Sequence, residues 1–337
     1  MSRVCCGSGS VNAVAPMTVQ ELLVRNITWH ERSRLRHDGV FLFHTDNTIE
    51  FFNSRQLSDS HLLHVDNTPD DVCFDRLGVV GRTVYLSVMD YTQKMHSFVV
   101  ALVKFGQTAL PSASDQLKHY TMAAIGHRLY TIGGISKDGT STAERASPAC
   151  HCFDTSIVAW ENETSQANLK TARVHCMAAV LKGCLYAIGG MDIDKNPIDS
   201  IELLDPNVNE WITVDDVKLA PEHSRGGACT TLGQYIYIVG GAGKDDDNVE
   251  KPIAQCTRFD PSSNQLSAMQ PMNIARSHHS LVALNNRLYA FGGVSDVSNS
   301  VYYDSVELYD PDLDMWYLLE QKLKIKDSGL IGAVAVA

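Results

Sequence analysis

The sequence predicts an all-β ring of six four-stranded units, a β-propeller, and three observations carry that prediction. A short apolar strand ending in two glycines recurs as RLYTIGG (128–134), CLYAIGG (184–190), YIYIVGG (235–241) and RLYAFGG (287–293). Downstream of each pair comes a second alternating stretch that ends in an acidic or Asp-Pro turn: CHCFD (150–154), SIELLDP (200–206), CTRFDP (256–261) and SVELYDP (305–311). A tryptophan follows in three copies, as Trp160, Trp211 and Trp316, and Leu266 takes its place in the fourth. Self-similarity at a period of about 50 residues signals a propeller or solenoid.

Each element has a physical reason. Small and β-branched runs such as CMAAVLKG (176–183) and SLVALNN (280–286) precede the glycine-ended strands and suit the crowded inside of a ring. The paired glycines end the second strand where the chain turns sharply or lies close to a neighbouring backbone. A phosphate loop would occur once and lead into a helix, and neither condition is met here. Turns rich in Gly, Pro, Asn and Asp separate the strands. The Tyr and Trp side chains are large enough to fill the space between adjacent sheets.

Two weaker units precede these four. GVFLFHTDNTIEFFN (39–53) reads as two strands joined by an Asp-Asn turn, with HLLHV (61–65) as an outer strand. GRTVYLSVMD (81–90) aligns with the repeated strand, but Val88-Met89 stands where the glycines should be. HSFVVALVKFG (96–106) supplies two further strands. The first unit lacks an inner strand, and the small-residue run SGLIGAVAVA (328–337) offers one from the other end of the chain. Six units with that closure use every strand, whereas a ring of five leaves the first unit out. The propeller is thus expected over 37–337. Residues 1–36 form a tail, with Thr18-Val-Gln-Glu21 as a capping-box start for a helix.

Composition narrows the function. A formal net charge of -11 makes a nucleic-acid backbone a poor partner. No apolar run reaches membrane-spanning length and no secretory signal is visible, so the expected location is the cytoplasm, without membrane association. The 9 cysteines have no regular spacing and fit free thiols.

The joint pattern of apolar-aromatic strand, Gly-Gly, Tyr/Phe-Asp-Pro and Trp resembles the Kelch repeat, and four units over 117–326 carry it clearly. The resemblance implies a propeller that binds a protein or peptide on the face where the loops after the glycine pairs emerge. Those loops include ISKDGTST (135–142), MDIDKNP (191–197), AGKDDDNVEK (242–251) and VSDVSNS (294–300), from which Lys137, Asp192, Lys244 and Ser295 are candidate contacts. Counting back from each repeat's tyrosine places Leu117, Arg173, Ser224 and Arg276 where the family often has arginine. The next residue often points into the family's pocket, which gives Lys118, Val174, Arg225 and Ser277, with Cys73 and Ser328 from the weaker units. Lys118, Arg225, Ser277 and Ser328 suit an acidic motif, whereas the run of aspartates at 245–247 favours a partly basic one. Many Kelch-like proteins carry BTB and BACK domains ahead of the propeller. That resemblance implies a substrate-recognition role in a cullin-3 ubiquitin ligase, reached through a BTB-containing partner, and makes the tail a candidate BACK remnant. Actin association is a further family role.

The alternative class is a Kelch-type enzyme or small-ligand binder. Cys150-His151-Cys152 lacks a second ligand pair at zinc-like spacing. His278 and His279 alternate on a strand, a poor geometry for sharing a metal, and Tyr302 and Tyr303 likewise point apart. No catalytic set, metal site or cofactor is expected.

Overall fold

A computed structural model describes residues 39–44, 48–53, 60–64, 72–80, 83–90, 95–99, 106–107, 117–137, 144–157, 159–161, 166–244, 249–296, 301–324 and 330–336. The tail, its expected helix and Ser328 lie outside the described residues.

Among the described residues, six four-stranded antiparallel sheets carry the fold, and we number them as units one to six in chain order. Their inner strands are Leu330–Val336, Val72–Val80, Thr121–Ile125, Met177–Leu181, Ala228–Leu232 and Ser280–Leu284. Each of these contacts the next around the circle, and the last contacts the first. The closing strand Leu330–Val336 pairs antiparallel with Gly39–His44, so the two parts of unit one come from opposite ends of the chain. Units one and two pack closely there, since a Cβ on Gly332 would lie 2.6 Å from the Leu77 side chain of unit two.

The recurrent residues hold the strands in place. At the first hairpin of unit six, Asn285 and Asn286 both take positive φ, a two-residue turn that asparagine tolerates. The Asp of each acidic turn accepts a backbone N–H from two residues on. Asp205 receives Asn207, Asp260 receives Ser262 and Asp310 receives Asp312, each at 2.9 Å. An Asn or Asp with positive φ then lets the chain reverse, at Asn209, Asn264 and Asp314. Trp211 is fully buried with Tyr130, Cys150, Cys176 and Leu185, which fills the gap between units three and four. Trp316 plays the same part between units five and six, and its indole N–H donates to the Gln270 carbonyl at 3.0 Å.

In unit two, the strand Thr83–Asp90 runs straight through Val88-Met89 and does not stop at the missing glycines. Its partner Val72–Val80 shifts register between Phe74 and Arg76.

Candidate functional site

Second strands end, and fourth strands connect onward to the next unit, at one face of the ring, and both contribute backbone there. All eight glycines of the four pairs have positive φ, from Gly189 at 60° to Gly241 at 118°. A Cβ on Gly134 would lie 2.7 Å from the Lys118 carbonyl, and one on Gly190 2.7 Å from the Val174 carbonyl. Gly134 N–H donates to the Arg173 carbonyl of the next unit at 2.8 Å, and Gly241 N–H to the Arg276 carbonyl at 3.1 Å. The pairs are therefore backbone junctions between neighbouring sheets.

A buried side chain braces the glycine-pair carbonyl in units four, five and six, and its chemistry is not the same in all three. In unit four, Arg173 donates to the Gly189 carbonyl at 2.8 Å and to Glu202 at 2.5 Å. Glu202 also accepts the amides of Lys170 and Thr171. Unit six repeats this set: Arg276 reaches Gly292 at 2.7 Å and Glu307 at 2.8 Å, and Glu307 accepts the amides of Asn273 and Ile274. All four of these side chains are shut off from solvent, and each carboxylate is matched by one guanidinium and two backbone N–H donors, to which the Asn273 side-chain amide adds a third N–H at Glu307. Burial lowers the pKa of Arg276 against the opposing pull of Glu307.

Unit five uses different parts. A short 3₁₀ turn, Pro221–Ser224, carries His223 to the glycine pair, where its Nδ1 lies 2.7 Å from the Gly240 carbonyl. Its Nε2 lies 2.9 Å from the Thr257 hydroxyl, and burial lowers its pKa. In unit one, Glu50 accepts the Lys324 amide and faces His44 at 3.7 Å, which ties the closing segment to the first sheet.

Above this frame the loop face is more ordered than expected. Three of the segments after glycine pairs form two-stranded ribbons instead of plain loops. These are Ile135–Lys137 with Glu144–Ala146, Ala242–Lys244 with Glu250–Pro252, and Val294–Asp296 with Val301–Tyr302. Alternating side chains on both sides of a polar tip are the signal that sequence reading passed over. The ribbons of units five and six touch. In unit four the segment is a tight turn in which Asp192 accepts the N–H and side-chain amide of Asn196, both at 2.8 Å. These bonds hold its carboxyl below the usual range.

The candidate contacts are spread across this face. Lys118 is half-buried, and its backbone pairs with Ile135 at the root of the unit-three ribbon. Arg225 is half-buried and ion-paired to Glu250 on the unit-five ribbon. Lys244 is exposed on that ribbon, and Ser295 donates to the Val301 carbonyl within the unit-six ribbon. Lys137 lies in the unit-three ribbon opposite Glu144. Ser277 is fully buried, 3.3 Å from the His278 ring, so its hydroxyl does not reach the surface. Ser224 is not an arginine substitute either: it is buried, it donates to the Ile198 carbonyl, and the brace is His223. The count missed this because the 3₁₀ turn stores extra chain before the inner strand.

The metal candidates do not assemble among the described residues, where no three His, Cys, Asp or Glu side chains gather. His278 precedes its strand with φ 53° instead of alternating along it with His279. Cys150 and Cys152 are buried, and burial pushes the Cys152 thiol up to about 12. No helix among the described residues is long and apolar enough to cross a membrane.

Known proteins are similar to this chain. The KLHDC2/KLHL20/DRC7 Kelch-repeats domain matches residues 116–335. The chain belongs to the Kelch-repeat family. Kelch-like protein 26 of Danio rerio is 31% identical over 199 residues, covering 59% of this chain and 31% of that protein. Kelch-like protein 33 of Homo sapiens is 40% identical over 97 residues, which is 29% of this chain and 17% of that protein. Beta-scruin of Limulus polyphemus is 22% identical over 260 residues, or 76% of this chain and 27% of that protein. This Kelch chain thus spans under a third of the length of these relatives. The solved structure of YjhT superposes with a TM-score of 0.58 at 13% identity, covering 78% of this chain and 87% of that one, a likeness of propeller fold.

Proposed function

We propose that this Kelch propeller is a protein-interaction module without catalytic activity of its own, and that it holds a peptide or protein partner on the ribbon-bearing face. One observation carries the reading. Three ribbons and a tight turn project from the same end of a frame whose buried carboxylates, Glu202 and Glu307, are bonded internally. Varied segments on such a support suit recognition. Lys118, Arg225 and Lys244, with Lys137, Asp192 and Ser295 between them, supply charged and polar contacts for a partner of mixed charge. Ser328 joins this set by its place in the closing segment.

Cross-linking mass spectrometry on captured partners tests this. Lysine cross-links are expected at Lys118, Lys137, Lys244 and Lys251. Cross-links concentrated at Lys182, on the hairpin at the opposite face, would contradict it. The finer role is substrate recognition for a cullin-3 ubiquitin ligase through a BTB-containing partner, and the Kelch-like relatives support it. Co-purification of cullin-3 that depends on such a partner is the expected result. The protein is taken to work in the cytoplasm.

A further inference from the structure

His279 is buried where the other units place quite different side chains. It is the residue just before the inner strand, a position held by Tyr120, Cys176 and Gly227 in units three to five. Its backbone packs on Gly293 of its own unit, and its ring reaches across to unit five, where a Cβ on Gly240 would lie 2.6 Å from the imidazole Cε1. The residue is 6% exposed. Among the described residues, neither ring nitrogen has a hydrogen-bond partner, and the Nε of Arg276 nearby has none either.

The surrounding charge is one-sided. Arg276 and His278 act on the ring from its own connection, and His223 acts from the 3₁₀ turn of unit five. The carboxylate of this junction, Glu307, is already committed to Arg276 and to the amides of Asn273 and Ile274. Tyr303 lies under the Arg276 guanidinium, with the ring centroid 5.4 Å away. Glu222 packs against Gly241 and Gly243 and acts on His223. A proton on His279 would therefore add a buried cation beside a cation, with no acceptor in place.

The junction also has a way to open. Besides packing, it is tied by backbone bonds from Gly241 N–H to the Arg276 carbonyl (3.1 Å), from Arg276 N–H to the Ile253 carbonyl (3.1 Å) and from His278 N–H to the Gly226 carbonyl (2.7 Å). We propose that the seam between units five and six is an acid-sensitive latch: protonation of His279 opens the 276–279 connection away from Gly240 and loosens the ribbon-bearing face of those two units. The ordinary value of 6.5 returns in the open form, so acid favours opening by protonating the released imidazole. Opening is unaffected above that value and increases up to tenfold per pH unit below it. The latch does not depend on any partner and stands apart from the binding reading.

Amide hydrogen exchange of the full chain at pH 7.5 and pH 5.5, corrected for intrinsic exchange rates, tests it. The expected result is roughly tenfold faster opening at the amides of Gly241 and His278 at pH 5.5, with Gly134 and Val174 unchanged. His279→Cys, which installs the residue that unit four carries, should abolish the acceleration. Equal opening at both pH values, or an acceleration that survives in His279→Cys, would overturn the latch. If His279→Cys does not fold, His279→Tyr copies unit three. If that fails too, NMR titration of the wild-type imidazole decides: a normal titration near 6.5 at intact Gly241 protection contradicts the proposal, and a ring that stays neutral until that protection is lost supports it.

Discussion

Units four and six differ from unit five at the same structural post, and the difference separates frame from function. Units four and six fix the glycine-pair carbonyl with a buried guanidinium backed by Glu202 or Glu307. Unit five fixes Gly240 with the neutral His223 backed by the Thr257 hydroxyl. The carbonyl and the donor are constant, while the charge is not. A charged brace is rigid but leaves a costly orphan if either half is lost. A neutral brace costs less to break and responds to acid. Unit five, which carries the softer brace, also brings Arg225 and Lys244 to the surface beside the unit-six ribbon.

Variants that break this contrast should fall in a clear order. Unit one is the extreme case, because its brace partner Lys324 and its inner strand both arrive from the far end of the chain. Deleting Ser328–Ala337 should abolish the cooperative thermal transition, since it exposes the edge of Gly39–His44 and empties the ring closure. A deletion that melts like the full chain would refute the closure. Next, Glu307→Ala leaves the Arg276 guanidinium buried without its counter-charge and should cost about 3–5 kcal/mol in urea unfolding. Thr257→Ala at the matching post of unit five should cost only about 1 kcal/mol. Equal losses would erase the distinction between the braces.

The glycines give a sharper version. Gly126, with φ 59° and open space around it, should accept alanine at about 1–2 kcal/mol of backbone strain. Gly241→Ala should cost more, because its Cβ would also strike the Glu222 carbonyl. Acid gives an effect of comparable size. His223 and His279 both have lowered pKa values when folded, so the unfolded chain binds protons that the folded one refuses. Stability from these two groups is complete above pH 6.5 and falls below it by up to about 1.4 kcal/mol per pH unit for each. Denaturation at pH 7.5 and 5.5 measures this. The lowered carboxyls of Asp192 and Asp260 act only nearer their ordinary 3.8.

Much of this frame was legible in the sequence because it is written in residues with few alternatives. Gly-Gly marks backbone that no side chain can approach, and Asp-Pro marks a turn whose Asp caps its own chain. The braces were only half legible. Arg173 and Arg276 stood out by position, but Glu202 and Glu307 lie 29 and 31 residues away and were read merely as strand residues in SIELLDP and SVELYDP. TIEFF carries the same glutamate as Glu50, and that match was the available sign that the first unit shares the frame. The site was less legible than the frame. Counting back from tyrosine assumed equal chain lengths, and the 3₁₀ turn of unit five breaks that assumption at Ser224. Exposure is decided by packing between units, which no local pattern encodes, and so Ser277 was expected at the surface.

The central claim is that the frame is structural and recognition resides on the ribbon-bearing face. Quantitative proximity labelling with the native chain and with a Lys118→Ala, Arg225→Ala, Lys244→Ala variant tests it most directly, with thermal melts run alongside. The account predicts that partners are lost from the variant at an unchanged melting temperature. An unchanged set of partners on a correctly folded variant would contradict it.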